Sequence, residues 1–99
     1  MEKNTLVQWA AAAVIRRSRT EQGLSQSQLA DFSGLSLPHV AAIEQGKMGI
    51  SVAAFLQLAE ALHLSGHELM LRLESELQNG PVRPAGKRGR PARLSGLER

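Results

Sequence analysis

Apolar residues recur along the chain at helical spacing, in five segments separated by short polar or glycine-containing stretches. In the first segment Leu6, Trp9 and Ala13 fall on one helical face, and Thr5 is a suitable N-cap residue. This pattern predicts a first helix over residues 5–22. Trp9 is the only tryptophan, and we expect it to pack in the core or beneath a dimer.

A serine, which is a favourable N-cap residue, precedes each of the four later segments. Two of these serines are followed three residues later by Gln or Glu, which is the pattern of a capping box. The sequence therefore predicts an all-α domain of five helices spanning residues 1–78. The four later helices are predicted over residues 26–33, 37–45, 52–62 and 66–78.

The last of these segments also has the pattern of a short strand. Leu69, Leu71 and Leu73 alternate with Met70 and Arg72, and the same strand of a second subunit could pair with it. We prefer a helix because the segment begins with a capping box and carries charged pairs four residues apart. In either form it has more leucine than a small monomer should expose. It therefore predicts a dimer interface at Met70, Leu71, Leu73 and Leu77.

The charged residues are distributed unevenly between the predicted domain and the end of the chain. Residues 1–78 contain six Lys and Arg against eight Asp and Glu, a net charge of −2. Residues 79–99 contain six basic residues and one acidic residue, a net charge of +5. This second region is rich in Pro, Gly and Arg with little to bury, which predicts a flexible basic tail. Attraction to a polyanion should come mostly from that tail.

The composition argues against several classes of protein. There is no cysteine, and the three histidines lack the clustered carboxylates of a metal site, so no metal or cofactor is expected. No apolar run is long enough to span a bilayer, and the first residues lack the layout of a signal peptide. We therefore expect a cytoplasmic protein without a membrane partner. The absence of a nucleophile elbow or a glycine-rich phosphate loop predicts that it is not an enzyme.

The middle of the chain predicts two short helices joined by a tight turn. A small residue is needed where the helices cross, a glycine suits the turn, and apolar residues suit the inner faces. With Gln26 counted as position one, such residues occupy positions five, nine, fifteen and eighteen, namely Ala30, Gly34, Val40 and Ile43. This spacing, followed by Glu-Gln-Gly-Lys, resembles the phage-repressor family of helix-turn-helix domains (the Cro/C1 or XRE type). The resemblance covers about residues 15–69.

The resemblance implies a sequence-specific, DNA-binding transcriptional regulator that acts as a dimeric repressor on double-stranded DNA. It also implies an ion pair between Arg19 and Glu44. The alternative is an antitoxin of the HipB type, which would bind a partner toxin and regulate its own operon. Carried over by position, the DNA-binding residues are Gln26, Ser36, Leu37, Pro38, His39, Ala42 and Lys47. Several of these side chains form no hydrogen bonds, so we expect modest direct recognition of bases.

The basic tail contains Arg88-Gly89-Arg90-Pro91, which resembles the core of an AT-hook. Glycine allows the backbone to lie deep in a narrow groove, and Arg88 and Arg90 could reach along its floor. Stretches of A·T pairs have such a narrow, electronegative minor groove. A nonspecific basic tail and a tail that neutralises a toxin are the alternatives.

Overall fold

A computed structural model describes residues 2–84, apart from the side chain of Lys3. Within this range the chain forms five α-helices and no strand. The predicted all-α class is confirmed, and residues 66–78 form a helix. None of the helices in this range is long and apolar enough to cross a membrane. The helices are α1 (Lys3–Glu21), α2 (Gln26–Ser33), α3 (Leu37–Glu44), α4 (Val52–Ala61) and α5 (Gly66–Gln78).

The start of α1 differs from the prediction. The helix begins at Lys3 with Glu2 as the N-cap residue, and the side chain of Glu2 makes no capping hydrogen bond. The expectation that Thr5 caps this helix is therefore wrong. Neither Lys3 nor Asn4 is a glycine or proline that would interrupt the helix, so it continues past Thr5 toward the N-terminus.

Serine capping is what sets the other four helix starts. The hydroxyl oxygens of Ser25, Ser36, Ser51 and Ser65 each accept a hydrogen bond from a backbone N–H in the first helical turn. Both predicted capping boxes form, at the starts of α2 and α5. Such a cap stabilises a helix by about 1 kcal/mol. These local signals explain why α2 and α5 have the predicted bounds.

The core lies where α1 packs on α3 and α5, α2 packs on α3 and α4, and α4 packs on α5. Its largest members are fully buried aliphatic side chains, which remove apolar surface from water. Small residues at Ala30 and Ala59 complete the contacts between the helices. The large aliphatic members are Val14, Ile15, Leu29, Val40, Ile43, Leu58, Leu62 and Leu69.

Polar contacts add to the apolar packing between α1 and α5. Arg72 donates to the buried hydroxyl of Ser18 at 2.9 Å and to Glu21 at 3.2 Å. Arg17 forms an ion pair with Glu76 at 3.2 Å. Because Arg17 and Arg72 serve these contacts, they contribute less to the free cationic surface than their charges suggest.

The same pair of helices buries two residues that the sequence assigned to a dimer interface. Leu73 is 8% exposed and belongs to a small cluster with Ala10 and Ala11 of α1. Leu77 is half-buried against this cluster. Contacts with α1 thus make Leu73 and Leu77 less exposed than the sequence suggested, and their place in a dimer interface stays a prediction. Met70 and Leu71 remain exposed, at 41% and 52%.

After α5 the chain turns at Gly80, which has a φ of +84°, and returns toward α1. Residues 82–84 form one side of a cleft whose other side is α1. We call residues 81–84 the C-terminal strap. Trp9 is half-buried at this cleft, whereas the sequence suggested a place in the core or beneath a dimer. The last residues of the strap are therefore packed against the helical body.

Candidate nucleic-acid interface

The turn between α2 and α3 is built from a left-handed glycine and a buried serine. Gly34 has a φ of +80°, and its N–H donates to the carbonyl oxygen of Ala30 at 2.9 Å. The hydroxyl of Ser33 accepts from the N–H of Leu35 at 3.3 Å. Ala30, 4% exposed, packs in the core beside the turn. These contacts fix the angle between α2 and α3, which determines how α3 is presented.

The helix α3 has one buried face and one accessible face. Val40, Ile43 and Glu44 are buried. The residues predicted to contact bases lie on the accessible side or at the N-terminal end, and we call these five residues the recognition surface. The exposed members are Ser36, Leu37 and Pro38. The half-buried members are His39 and Ala42.

One polar group of the recognition surface already forms a hydrogen bond within the protein. The hydroxyl oxygen of Ser36 accepts from the N–H of His39 at 3.2 Å, which leaves the hydroxyl proton available to a ligand. The imidazole of His39 can donate from one nitrogen and accept at the other. Leu37, at 45% exposed, is a large apolar side chain beside these groups. The surface therefore combines two hydrogen-bonding groups with apolar contact area.

The C-terminal end of α3 is held by a forked ion pair. Arg19 donates from Nε to Oε2 of Glu44 at 2.7 Å and from Nη2 to Oε1 at 2.9 Å. Its Nη1 donates to the carbonyl oxygen of Leu24 at 2.8 Å. The Glu44 side chain is 2% exposed and that of Arg19 is 12% exposed. This is the ion pair that the resemblance implied, and it joins α1 to α3.

Gln26 extends this network to α2. Its Nε2 donates to Oε1 of Glu44 at 3.0 Å, so Glu44 connects three helices. The sequence placed Gln26 at DNA but contained no signal for its pairing with Glu44, because the two residues lie 18 positions apart. The second amide N–H and the carbonyl oxygen of Gln26 remain available to a ligand.

The loop after α3 brings two groups suited to a phosphate near the end of that helix. Lys47 is exposed there and is the only Lys or Arg between Arg19 and Arg72. The first turn of α4 contains no acidic residue, and the first backbone N–H groups of a helix have no helical acceptor. Arg88 and Arg90, the remaining predicted contacts, lie outside the described residues.

A capped, accessible helix held at a fixed angle to a second short helix is the arrangement of a helix-turn-helix domain. The helix-turn-helix family model HTH_3 matches residues 15–69, more than half of the chain. The protein belongs to this helix-turn-helix family.

Two individual relatives support the same family assignment. Over 61 residues the chain is 38% identical to a competence pilus inhibition repressor from Acinetobacter baylyi, a match covering 62% of this chain and 56% of that protein. Over 58 residues it is 33% identical to control protein C.SmaI of Serratia marcescens, covering 59% and 69% respectively. The chain thus covers little more than half of the length of the first relative.

A solved structure supports both the fold and the family. The restriction-modification controller protein C.AhdI from Aeromonas hydrophila is 39% identical and superposes with a TM-score of 0.56, over 65% of this chain and 94% of that one. These comparisons confirm the predicted helix-turn-helix family. The antitoxin alternative gains no support from them.

Proposed function

We propose that the protein is a homodimeric repressor that binds a specific DNA operator by placing α3 in the major groove. The observation that carries this proposal is the contrast within α3. Its C-terminal end is fixed by Glu44, while the recognition surface, most of which lies in its first turn, is accessible. A rigidly held helix with accessible N-terminal residues is what a helix-turn-helix protein inserts into the groove.

The recognition surface favours a mixture of polar and apolar base contacts. His39 can bond to the edge of a purine, and Ser36 can donate its proton to a base or a phosphate. Leu37 and Ala42 suit contact with the methyl group of thymine. Pro38 has no N–H to offer. With so few donors, part of the sequence preference must come from DNA shape and deformability.

Contacts to the DNA backbone would fix the position of α3 without selecting a sequence. Lys47 provides the positive charge, and the free amide N–H of Gln26 provides a second donor. The N-terminus of α4, capped by Ser51, provides backbone N–H groups that suit a phosphate.

The proposed dimer uses the accessible face formed by α4 and α5. An apolar groove of about 410 Å³ lies beside Val7, Phe55, Leu56 and Met70. Val52, Leu56 and Leu71 are 77%, 52% and 52% exposed, which is unusual for leucine and valine in a small monomer. In a symmetric dimer the two α3 helices would enter successive major grooves about 34 Å apart.

Selection of binding sites from random duplex DNA, at a stated salt concentration, tests the operator proposal. We expect one enriched sequence with two related half-sites. The double variant Gln26→Ala/His39→Ala should bind this operator at least tenfold more weakly, because it loses a phosphate donor and a base contact. Gln78→Ala, an exposed change at the end of α5, is the control. Equal binding by the double variant would overturn the assignment of these residues.

Sedimentation equilibrium tests the dimer separately. Met70→Glu places a charge in the apolar groove, which Met70 lines, and should shift the protein toward monomer, because an unpaired charge is costly to bury. Glu60→Gln, exposed on α4 and outside the lining of the groove, should leave the dimer intact. A Met70→Glu variant that remains as dimeric as the wild type would place the interface elsewhere.

A further inference from the structure

The cleft between the C-terminal strap and α1 has the size of a small-molecule site, with a volume of about 420 Å³. A Cβ atom built on Gly46 would lie 3.0 Å from Cγ of Pro84 and 3.0 Å from Cδ1 of Trp9. Gly46 also has a φ of +70°, which favours glycine independently. This close packing holds the strap, and with it one wall of the cleft, against the helical body.

Most of the surface inside this cleft is apolar. Trp9, Ala12 and Ala13 contribute to the wall formed by α1, and Val82 and Pro84 contribute to the wall formed by the strap. The half-buried indole of Trp9 provides an aromatic surface on which a second ring can pack. Such walls suit the apolar body of a ligand and offer little to a hydrated ion.

Each wall also carries an arginine without a carboxylate partner. Arg16 of α1 and Arg83 of the strap both line the cleft and are exposed. Among residues 2–84, none of the ion pairs includes either of them. Two like charges at one cleft repel each other, and an anion bound between them would lower that repulsion.

The other charged groups of the described lining are already neutralised. Arg17 pairs with Glu76 of α5 at 3.2 Å. The carboxylate of Glu44, which also lines the cleft, binds the guanidinium of Arg19 at 2.7 Å. The two unpaired arginines therefore give the cleft a surplus of two positive charges, which matches the charge of a phosphate monoester near neutral pH.

We propose that this cleft binds a small aromatic phosphate. Arg16 and Arg83 bind its phosphate group from the two walls, because the guanidinium fork matches phosphate oxygens. The aromatic ring packs between the walls against Trp9. The proposal goes beyond the binding of DNA by α3 and does not depend on it.

The apolar walls are what distinguish this ligand from a phosphate of duplex DNA. A backbone phosphate would use the two arginines and leave the concave apolar surface without a contact. An aromatic phosphate uses both features of the cleft, which is the usual composition of a small-molecule site.

Phenyl phosphate is the probe for the first test, in the free full-length protein. Its only tryptophan gives a single indole N–H resonance in a proton–nitrogen NMR spectrum, so a titration follows the cleft directly. We expect this resonance to shift to saturation, with phenyl phosphate binding about tenfold more tightly than inorganic phosphate or phenol. Inorganic phosphate lacks the ring, and phenol lacks the charge. Equal binding by either compound would overturn the proposal.

The second test removes the arginines one at a time. Arg16→Gln and Arg83→Gln should each weaken the binding of phenyl phosphate about tenfold, because each loses a charged donor to the phosphate. Both positions are exposed, so both variants should remain folded. Gln57→Glu, exposed on α4, lowers the net charge by the same amount and should bind as the wild type does. An arginine variant that binds phenyl phosphate as tightly as Gln57→Glu would contradict the proposed site.

Ala13→Leu separates the cleft from a simple pair of surface charges. Leucine fills part of the space beside α1, where Ala13 is half-buried, and leaves both arginines in place. Binding of phenyl phosphate should weaken about tenfold, while the weaker binding of inorganic phosphate should not change. Thermal denaturation checks that the variant is folded. Unchanged binding of phenyl phosphate would mean that the arginines bind phosphates without the cleft, and the proposal would fail.

Discussion

The two ends of α3 are surrounded in opposite ways. At the C-terminal end, the carboxylate of Glu44 is 2% exposed and receives hydrogen bonds from Arg19 and Gln26. At the N-terminal end, Ser36, Leu37 and Pro38 are exposed, and the hydroxyl oxygen of Ser36 accepts a hydrogen bond from the N–H of His39. One end is fixed by a buried, charged network, and the other leaves its side chains available to a ligand.

The residues that hold α3 in place are therefore different from the residues that are available to bind a ligand. A binding surface must be held in one geometry, yet its side chains must not be consumed by the contacts that hold it. Placing the polar network at the far end of a helix of eight residues meets both requirements. Substitutions at the C-terminal end should therefore act mainly on stability, and those at the N-terminal end mainly on DNA binding.

Among substitutions at the C-terminal end of α3, we expect Glu44→Ala to destabilise the protein most. It leaves the guanidinium of Arg19, 12% exposed, without its partner, and breaking a buried ion pair costs about 3–5 kcal/mol. The free energy of unfolding, measured by urea denaturation, should fall by this amount. Glu74→Ala, at an exposed position of α5, should change it by less than about 0.5 kcal/mol. A similar small change for Glu44→Ala would show that the network is not structurally important.

A milder test of the same end is Arg19→Lys. Lysine keeps the positive charge but lacks the planar fork that binds both oxygens of Glu44 and the carbonyl of Leu24. We expect a loss of about 2 kcal/mol in the free energy of unfolding, since hydrogen bonds to a charged group are lost. Arg16→Lys, on an exposed part of α1, is the matched control. If both lysine variants were equally stable, charge alone would account for the Arg19 contact.

Ser36→Ala tests a residue that both caps α3 and belongs to the recognition surface. It removes the acceptor for the N–H of His39, and loss of such a cap costs about 1 kcal/mol. It should also weaken operator binding, since both the hydroxyl and the order of the first turn are lost. Ser27→Ala, an exposed serine inside α2, serves as the control in thermal denaturation and in binding titrations. An unchanged melting temperature would mean that Pro38 alone defines the helix start.

Leu37→Ala should have the smallest effect on stability, under about 1 kcal/mol, because the side chain is 45% exposed. Its effect should appear in DNA binding instead. If Leu37 contacts a thymine methyl group, replacing that thymine by uracil should weaken binding of the wild type but not of the variant. A uracil effect of equal size in both proteins would exclude this contact.

Local signals in the sequence were sufficient for most of the fold. N-cap residues and apolar periodicity act within a few residues, so the serines at 25, 36, 51 and 65 defined four helix starts. The same reasoning was wrong at Thr5, because an N-cap residue does not prevent a helix from beginning earlier. The spacing of small and apolar residues from Gln26 to Ile43 also pointed to the helix-turn-helix class, since that geometry permits few residue types at each position.

The tertiary structure determined which side chains already form contacts within the protein. Leu73, on the apolar face of α5 that predicts a dimer interface, packs against Ala10 and Ala11 of α1. Gln26 proved to donate to Glu44. Pro84, in a region whose composition predicted a flexible tail, packs beside Trp9 and Gly46. These pairings join residues far apart in the chain, and a helical periodicity identifies an apolar face without identifying what covers it.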